Sequence, residues 1–156
     1  MQSNRRVFLK GSMAAGAVGL AAGAGLLSPR AVLASAWPES AFSNESMSGA
    51  MDDLFGIDSA EESGDVKVTA PDIAENGAVV PVTVESAIDG TDRMAIMVSN
   101  NPTPLVASVN LEGGAPFIST RIRMGETDDV TGVVHAGGKL YKAGTEVKVT
   151  IGGCGG

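Results

Sequence analysis

The sequence has one cysteine, Cys154, and one histidine, His135. A lone thiol closes no disulfide within the chain, so the fold must rest on packing rather than on cross-links. One thiolate does not make a metal centre, and His135 sits in a β pattern beside Val134, where a packed or surface strand residue is the ordinary reading. A thiol–disulfide enzyme needs a resolving cysteine, and there is none. No Ser/His/Asp set can be placed together, and no glycine-rich phosphate loop lies between a strand and a helix. Aromatic residues make up only 4% of the chain. The core must therefore be built from Val, Ile, Leu, Met and Ala. Met94, Met97 and Met124 read as packing residues, since they are dispersed and lack helper histidines.

Positive charge is scarce as well, and it is unevenly placed. Of 11 basic residues, Arg5, Arg6, Lys10 and Arg30 lie in the first 36, where none of the 18 acidic residues falls. The remainder has 7 basic against 18 acidic residues, a formal charge near -11. Such a surface repels nucleic acid and anionic lipid. The first 36 residues have the features of a secretory leader. Arg5-Arg6 precede a short apolar step and Lys10, Gly11 to Leu27 carry no charge, and Ala34-Ser35-Ala36 is a small-x-small cleavage signal. This pattern predicts export to the periplasm by the twin-arginine route, in the folded state, with the mature chain starting near Trp37. The uncharged run is short and glycine-rich for a spanning helix, so no stable membrane insertion is expected after cleavage.

The rest divides by periodicity. Met47, Met51, Leu54 and Phe55 fall at helical spacing, with Ser43 or Asn44 as candidate cap and Gly56 as stop. One short helix in a 37–64 extension is predicted. From Val66 the period becomes two. Strands are expected at 66–70, 80–85, 94–98, 107–111, 117–124, 130–136, 140–143 and 147–151, the longest at 117–124. Asn100-Asn101-Pro102 marks a turn, and Gly113-Gly114 and Gly137-Gly138 read as hairpin turns. Seven or eight short strands with no intervening helix predict an all-β, antiparallel β-sandwich. Pro81 argues for an edge strand there, because it donates no ladder hydrogen bond. Arg121 and Arg123 share one strand face, either solvated or turned to an anion or a subunit contact.

After Ile151 the chain reads Gly152-Gly153-Cys154-Gly155-Gly156. Glycine lacks a β-carbon and samples conformations closed to other residues. Three extended residues past Ile151 reach about 10 Å, enough to carry a thiol off the body into a narrow slot on another protein. No basic side chain neighbours Cys154, so the thiol is expected to be mostly protonated near neutral pH. It has the character of a handle loaded by another active site. A chance cysteine on a glycine tag, or a cysteine that tethers an immunoglobulin-like interaction module to another chain, are the competing readings.

Three segments carry a family resemblance: 70–82 (APDIAENGAVVPV), 119–124 (STRIRM) and 147–156 (VKVTIGGCGG). On these the chain resembles SoxY, the sulfur-carrying subunit of the bacterial sulfur-oxidation (Sox) system. The resemblance implies an immunoglobulin-like domain over 65–151 and a carrier arm over 152–156. It implies that Cys154 bears thiosulfate-derived sulfur covalently and that Gly152, Gly153, Gly155 and Gly156 form the flexible arm. No other cofactor and no catalysis by the chain itself are expected. The implied partners are a SoxZ-like subunit in a heterodimer and, transiently, SoxXA-, SoxB- and SoxCD-like enzymes.

Overall fold

The computed structural model describes residues 37–150. The leader and the five-residue arm expected from the sequence lie outside the described residues.

Two short helices come first. The first, α1 (Glu39–Ser43), starts after Pro38 and buries Ala41. The second, α2 (Met47–Phe55), is capped by Ser46, whose hydroxyl accepts from the Gly49 amide at 3.1 Å. Gly56 ends it in the left-handed conformation, with its amide bonded to the Asp52 carbonyl. The predicted single helix is thus a pair, and the cap sits at Ser46 rather than at Ser43 or Asn44. Asn44 is extended instead, and its side-chain oxygen accepts from the Ser46 amide at 3.0 Å. That bond stabilises the bend between the helices.

Nine strands follow: β1 (Glu61–Glu62), β2 (Val66–Thr69), β3 (Ile73–Ala74), β4 (Val80–Ser86), β5 (Thr91–Val98), β6 (Leu105–Asn110), β7 (Phe117–Ile122), β8 (Asp128–Ala136) and β9 (Lys139–Val149). A larger sheet runs β1-β9-β8-β5-β6, with β3 also on β9, and a smaller one runs β2-β4-β7. The main ladders are antiparallel, as expected. The exceptions are β1 and β3, which both join β9 in parallel. Their two-residue length gives no apolar alternation from which pairing could be read.

Other differences have local causes. The predicted strands 140–143 and 147–151 are one strand, β9, the longest in the fold, because Gly144 stays in the ladder opposite Thr131. Gly137 and Gly138, both at positive φ, form the two-residue turn between β8 and β9 as expected. Gly113-Gly114 is no hairpin, since β6 and β7 lie in different sheets and the chain crosses between them there. The strand bearing Pro81 is not an edge strand. β4 lies between β2 and β7, but β2 stops opposite Thr83, so Pro81 is paired on one flank only, with Arg121. Proline is tolerated because the second flank carries no ladder at that point.

The main core lies between the sheets. Val66, Val80, Val82, Val84 and Ile122 of the smaller sheet pack with Met94, Ile96, Val98, Val130, Val134 and Val147 of the larger. It contains no aromatic ring among its buried members, so many β-branched side chains do the work of a few large ones. Each contributes about 1.5–3 kcal/mol on full burial. A second core lies on the larger sheet's other face, where Ala41, Ala50, Met51 and Leu54 of the helices cover Ala95, Met97, Leu105, Val133 and Leu140.

Candidate functional site

Cys154, Gly152, Gly153, Gly155 and Gly156 lie outside the described residues, and the geometry of the site begins at its root. Strand β9 leads there. Beyond Val147 it has outrun β8, whose first residue, Asp128, pairs with Val147. A bare strand end would leave its amides to water, yet the last three are all bonded. Lys148 and Thr150 donate to the carbonyls of Asp72 and Ala74 at 3.0 and 3.1 Å. Between them, the Val149 amide donates to the Thr127 hydroxyl at 3.0 Å. Alternate amides of a strand point to opposite sides, so β3 holds one edge and Thr127 the other.

The loop that carries β3 is itself braced. The Asn76 side chain accepts from the Ala78 amide at 3.0 Å, and the Met124 amide donates to the Gly77 carbonyl at 2.7 Å. Gly77 lies so close to its neighbours that a Cβ there would stand 2.5 Å from the Met124 carbonyl oxygen and 2.8 Å from Val149 Cγ1. The β5–β6 turn closes the group. The Asn101 amide nitrogen donates to the Arg123 carbonyl, and its oxygen accepts from the Gly125 amide. All three segments that carried the family resemblance therefore meet at the end of β9. Spacing alone did not show this, because residues 74 and 150 are joined only by the parallel pairing of β3. Ile73 and Val79, in the same loop, are more than half or half exposed.

Met94, Met97 and Met124 are buried in the cores. Arg121 and Arg123 are exposed, and no ion pair among the described residues engages either. His135 lies 2.5 Å from Asp92 through its Nδ1 and stacks on Phe55, with ring centroids 6.1 Å apart. Arg93 lies over the same Phe55 ring and bonds the Leu54 carbonyl and the Asn110 side chain. These groups line an open cleft of about 390 Å³ at the C-terminal end of α2. They hold the helix to the sheet, with the Arg93 guanidinium on the Leu54 carbonyl near the end of α2, where the helix dipole favours a cation. The sequence signal for this anchor was only the pairing of Phe55 with a following Gly56. Among the described residues no three His, Cys, Asp or Glu side chains are grouped to hold a metal ion, and no helix is long and apolar enough to cross a membrane.

Fold and site together define a two-sheet β domain that braces the base of a cysteine-bearing segment. A family model described as sulfur oxidation protein SoxY matches residues 51–154. The sulfur carrier protein SoxY from Chlorobium limicola f thiosulfatophilum is 47% identical over 65% of this chain and 94% of its own, with a TM-score of 0.58. A superoxide reductase (neelaredoxin) variant from Ignicoccus hospitalis also aligns, at 14% identity over 55% of this chain and 79% of its own, with a TM-score of 0.48. The search of curated proteins gave no match. The chain belongs to the SoxY family, the non-catalytic sulfur-carrier subunits of sulfur oxidation.

Proposed function

We propose that this chain is a periplasmic carrier that holds thiosulfate-derived sulfur covalently on Cys154 and presents it to sulfur-processing enzymes. One observation carries the reading. The family match runs to residue 154, which is the chain's single cysteine. Gly152, Gly153, Gly155 and Gly156 then serve as a flexible arm, free of side chains that would obstruct a narrow active-site channel. Joining the Cys154 sulfur to a thiosulfate sulfur releases two electrons and the thiol proton. An oxidising partner enzyme of the SoxXA type accepts the electrons, and hydrolytic (SoxB-like) and oxidative (SoxCD-like) partners then process the bound group. The domain is read as an immunoglobulin-like sandwich. Its working form is a heterodimer with a SoxZ-like subunit, exported folded by the leader in residues 1–36.

The test is intact-mass measurement after incubation with thiosulfate and the partner enzymes. A mass increase that maps to the peptide containing Cys154 and disappears with reductant is expected, and Cys154→Ser should abolish both the adduct and thiosulfate-dependent turnover. Full turnover by Cys154→Ser, or adducts confined to other peptides, would overturn the carrier reading in favour of an interaction module with a tethering cysteine.

A further inference from the structure

The 72–79 loop and Thr127 gather around three consecutive backbone amides at the end of β9. We infer that they form a clamp that sets the pivot of the carrier arm, holding β9 in register to Thr150 so that the arm's free length starts there. This rests on the carrier reading for its purpose, though not for its geometry.

The argument starts from what an unclamped strand end does. Beyond Asp128 the neighbouring strand offers β9 no ladder partner, and strand ends without partners fray. Here each of the last three amides has an acceptor drawn from a different place. Asp72 and Ala74 supply backbone carbonyls on one edge, and Thr127 supplies a hydroxyl on the other. Among the described residues β3 makes its ladder with Lys148 and Val149 and with no other strand, so its pairing holds this end of β9. Gly77 lets the loop lie directly against the Met124 carbonyl and Val149, where any larger residue collides with main chain. Thr127, Gly77 and Ala74 are therefore positioning residues acting on β9, not groups that touch cargo.

The consequence follows from tether length. From Thr150 to Cys154 is four residues, about 14 Å fully extended. Fraying back to Val147 would add three residues, nearly doubling that reach and enlarging the volume the thiol explores. Each partner enzyme must then immobilise more chain to seat the same thiol, at a greater cost in conformational entropy. The clamp therefore favours capture of the arm. It leaves the chemical step unchanged, because the seated thiol is the same in either case.

The test compares Thr127→Val, which keeps the shape and removes the hydroxyl, with Thr127→Ser, which keeps the hydroxyl. Gly77→Ala attacks the other edge. Amide exchange at Val149 and Thr150 is read by NMR on the full mature chain, and a nitroxide on Cys154 reports arm motion. Thr127→Val should speed exchange at Val149 about fivefold, the scale of one lost hydrogen bond, and shift the nitroxide spectrum toward faster motion. Thr127→Ser should match the wild type. Gly77→Ala, where it folds, should move both probes the same way. With a partner enzyme, Thr127→Val should raise KM for the carrier several-fold and leave kcat unchanged. Unaltered exchange and nitroxide motion in Thr127→Val would overturn the clamp, as would a Ser variant that behaves like Val. A fall in kcat at unchanged KM would overturn the positioning role. Failure of the wild-type chain to take sulfur on Cys154 would defeat the carrier reading, while the exchange data still decide the clamp.

Discussion

The two apolar cores of this domain are built differently, though they share β5 and β8. Between the sheets, side chains from seven strands interlock, and Val80, Val82 and Val84 on one sheet meet Met94, Ile96 and Val130 on the other. On the opposite face, two short helices lay Ala41, Ala50, Met51 and Leu54 over the sheet, with Phe42, Met47 and Phe55 partly buried beside them. The first core draws on residues far apart in sequence and holds most of the fully buried large side chains. The second is a single thin layer, and Met51 and Leu54 keep 7% of their surface accessible. Burial on both faces is the reason β5 is buried without a break from Met94 to Val98 and β8 from Val130 to Val134. The lesson is that the helix layer seals the sheet, whereas the inter-sheet core holds the fold together.

Truncating one residue in each core breaks or supports that comparison most directly. Ile96→Ala in the inter-sheet core should lower unfolding stability by about 3 kcal/mol, with the loss spread over both sheets. Leu54→Ala in the helix layer should cost about 2 kcal/mol, with hydrogen exchange rising first in α1 and α2. Equal losses and identical exchange maps would mean that the two cores unfold as one unit. Thermal or denaturant unfolding supplies the energies, and exchange mass spectrometry the maps.

Gly132→Ala tests how tightly the sheets approach. A Cβ at Gly132 would stand 2.6 Å from Val84 Cγ1 and 2.9 Å from Val68 Cγ2. The obstacles are side-chain methyls rather than main chain, so some relaxation is expected, and the loss should be about 1–3 kcal/mol. A neutral or stabilising result in denaturant unfolding would show that the inter-sheet core has slack. The smallest effect is at the helix layer's start. Ser46→Ala removes the hydroxyl that accepts from Gly49 and should cost about 1 kcal/mol. Circular dichroism with exchange at Gly49 checks it, and an unchanged Gly49 amide would show that the cap contributes nothing.

How much could be read in advance differs between the same two regions. Alternation placed most strands of the smaller sheet and the inter-sheet core within a residue or two, because one face of β4 and β7 is wet and the other dry. Ile118, Thr120 and Ile122 are less exposed than Ser119 and Arg121, as their spacing predicted. Helical spacing identified Met51 and Leu54 as the inward face of α2. It could not reveal α1, whose five residues are too short for a period to show. For the candidate site, Cys154 and its glycines could be named from the sequence alone, and they lie outside the described residues. The clamp at the root of that segment was not, because Thr127, Gly77 and Ala74 look like ordinary loop residues until the chain is folded.

The division between sequence and tertiary structure has a physical basis. Local chemistry is written locally. Period-two burial, the paired glycines at 137–138 and the helix stop at Gly56 each depend on a few adjacent residues, so an all-β domain with a helical prelude was readable before the chain was folded. Edge pairing is set by geometry between distant segments. Only the folded chain decided that β1 and β3 both add in parallel to β9, that β2 stops short of Pro81, and that three separate segments converge on Val149 and Thr150. Backbone amides carry no side-chain signature of the partner they will find, so these decisions became visible only where the strands met.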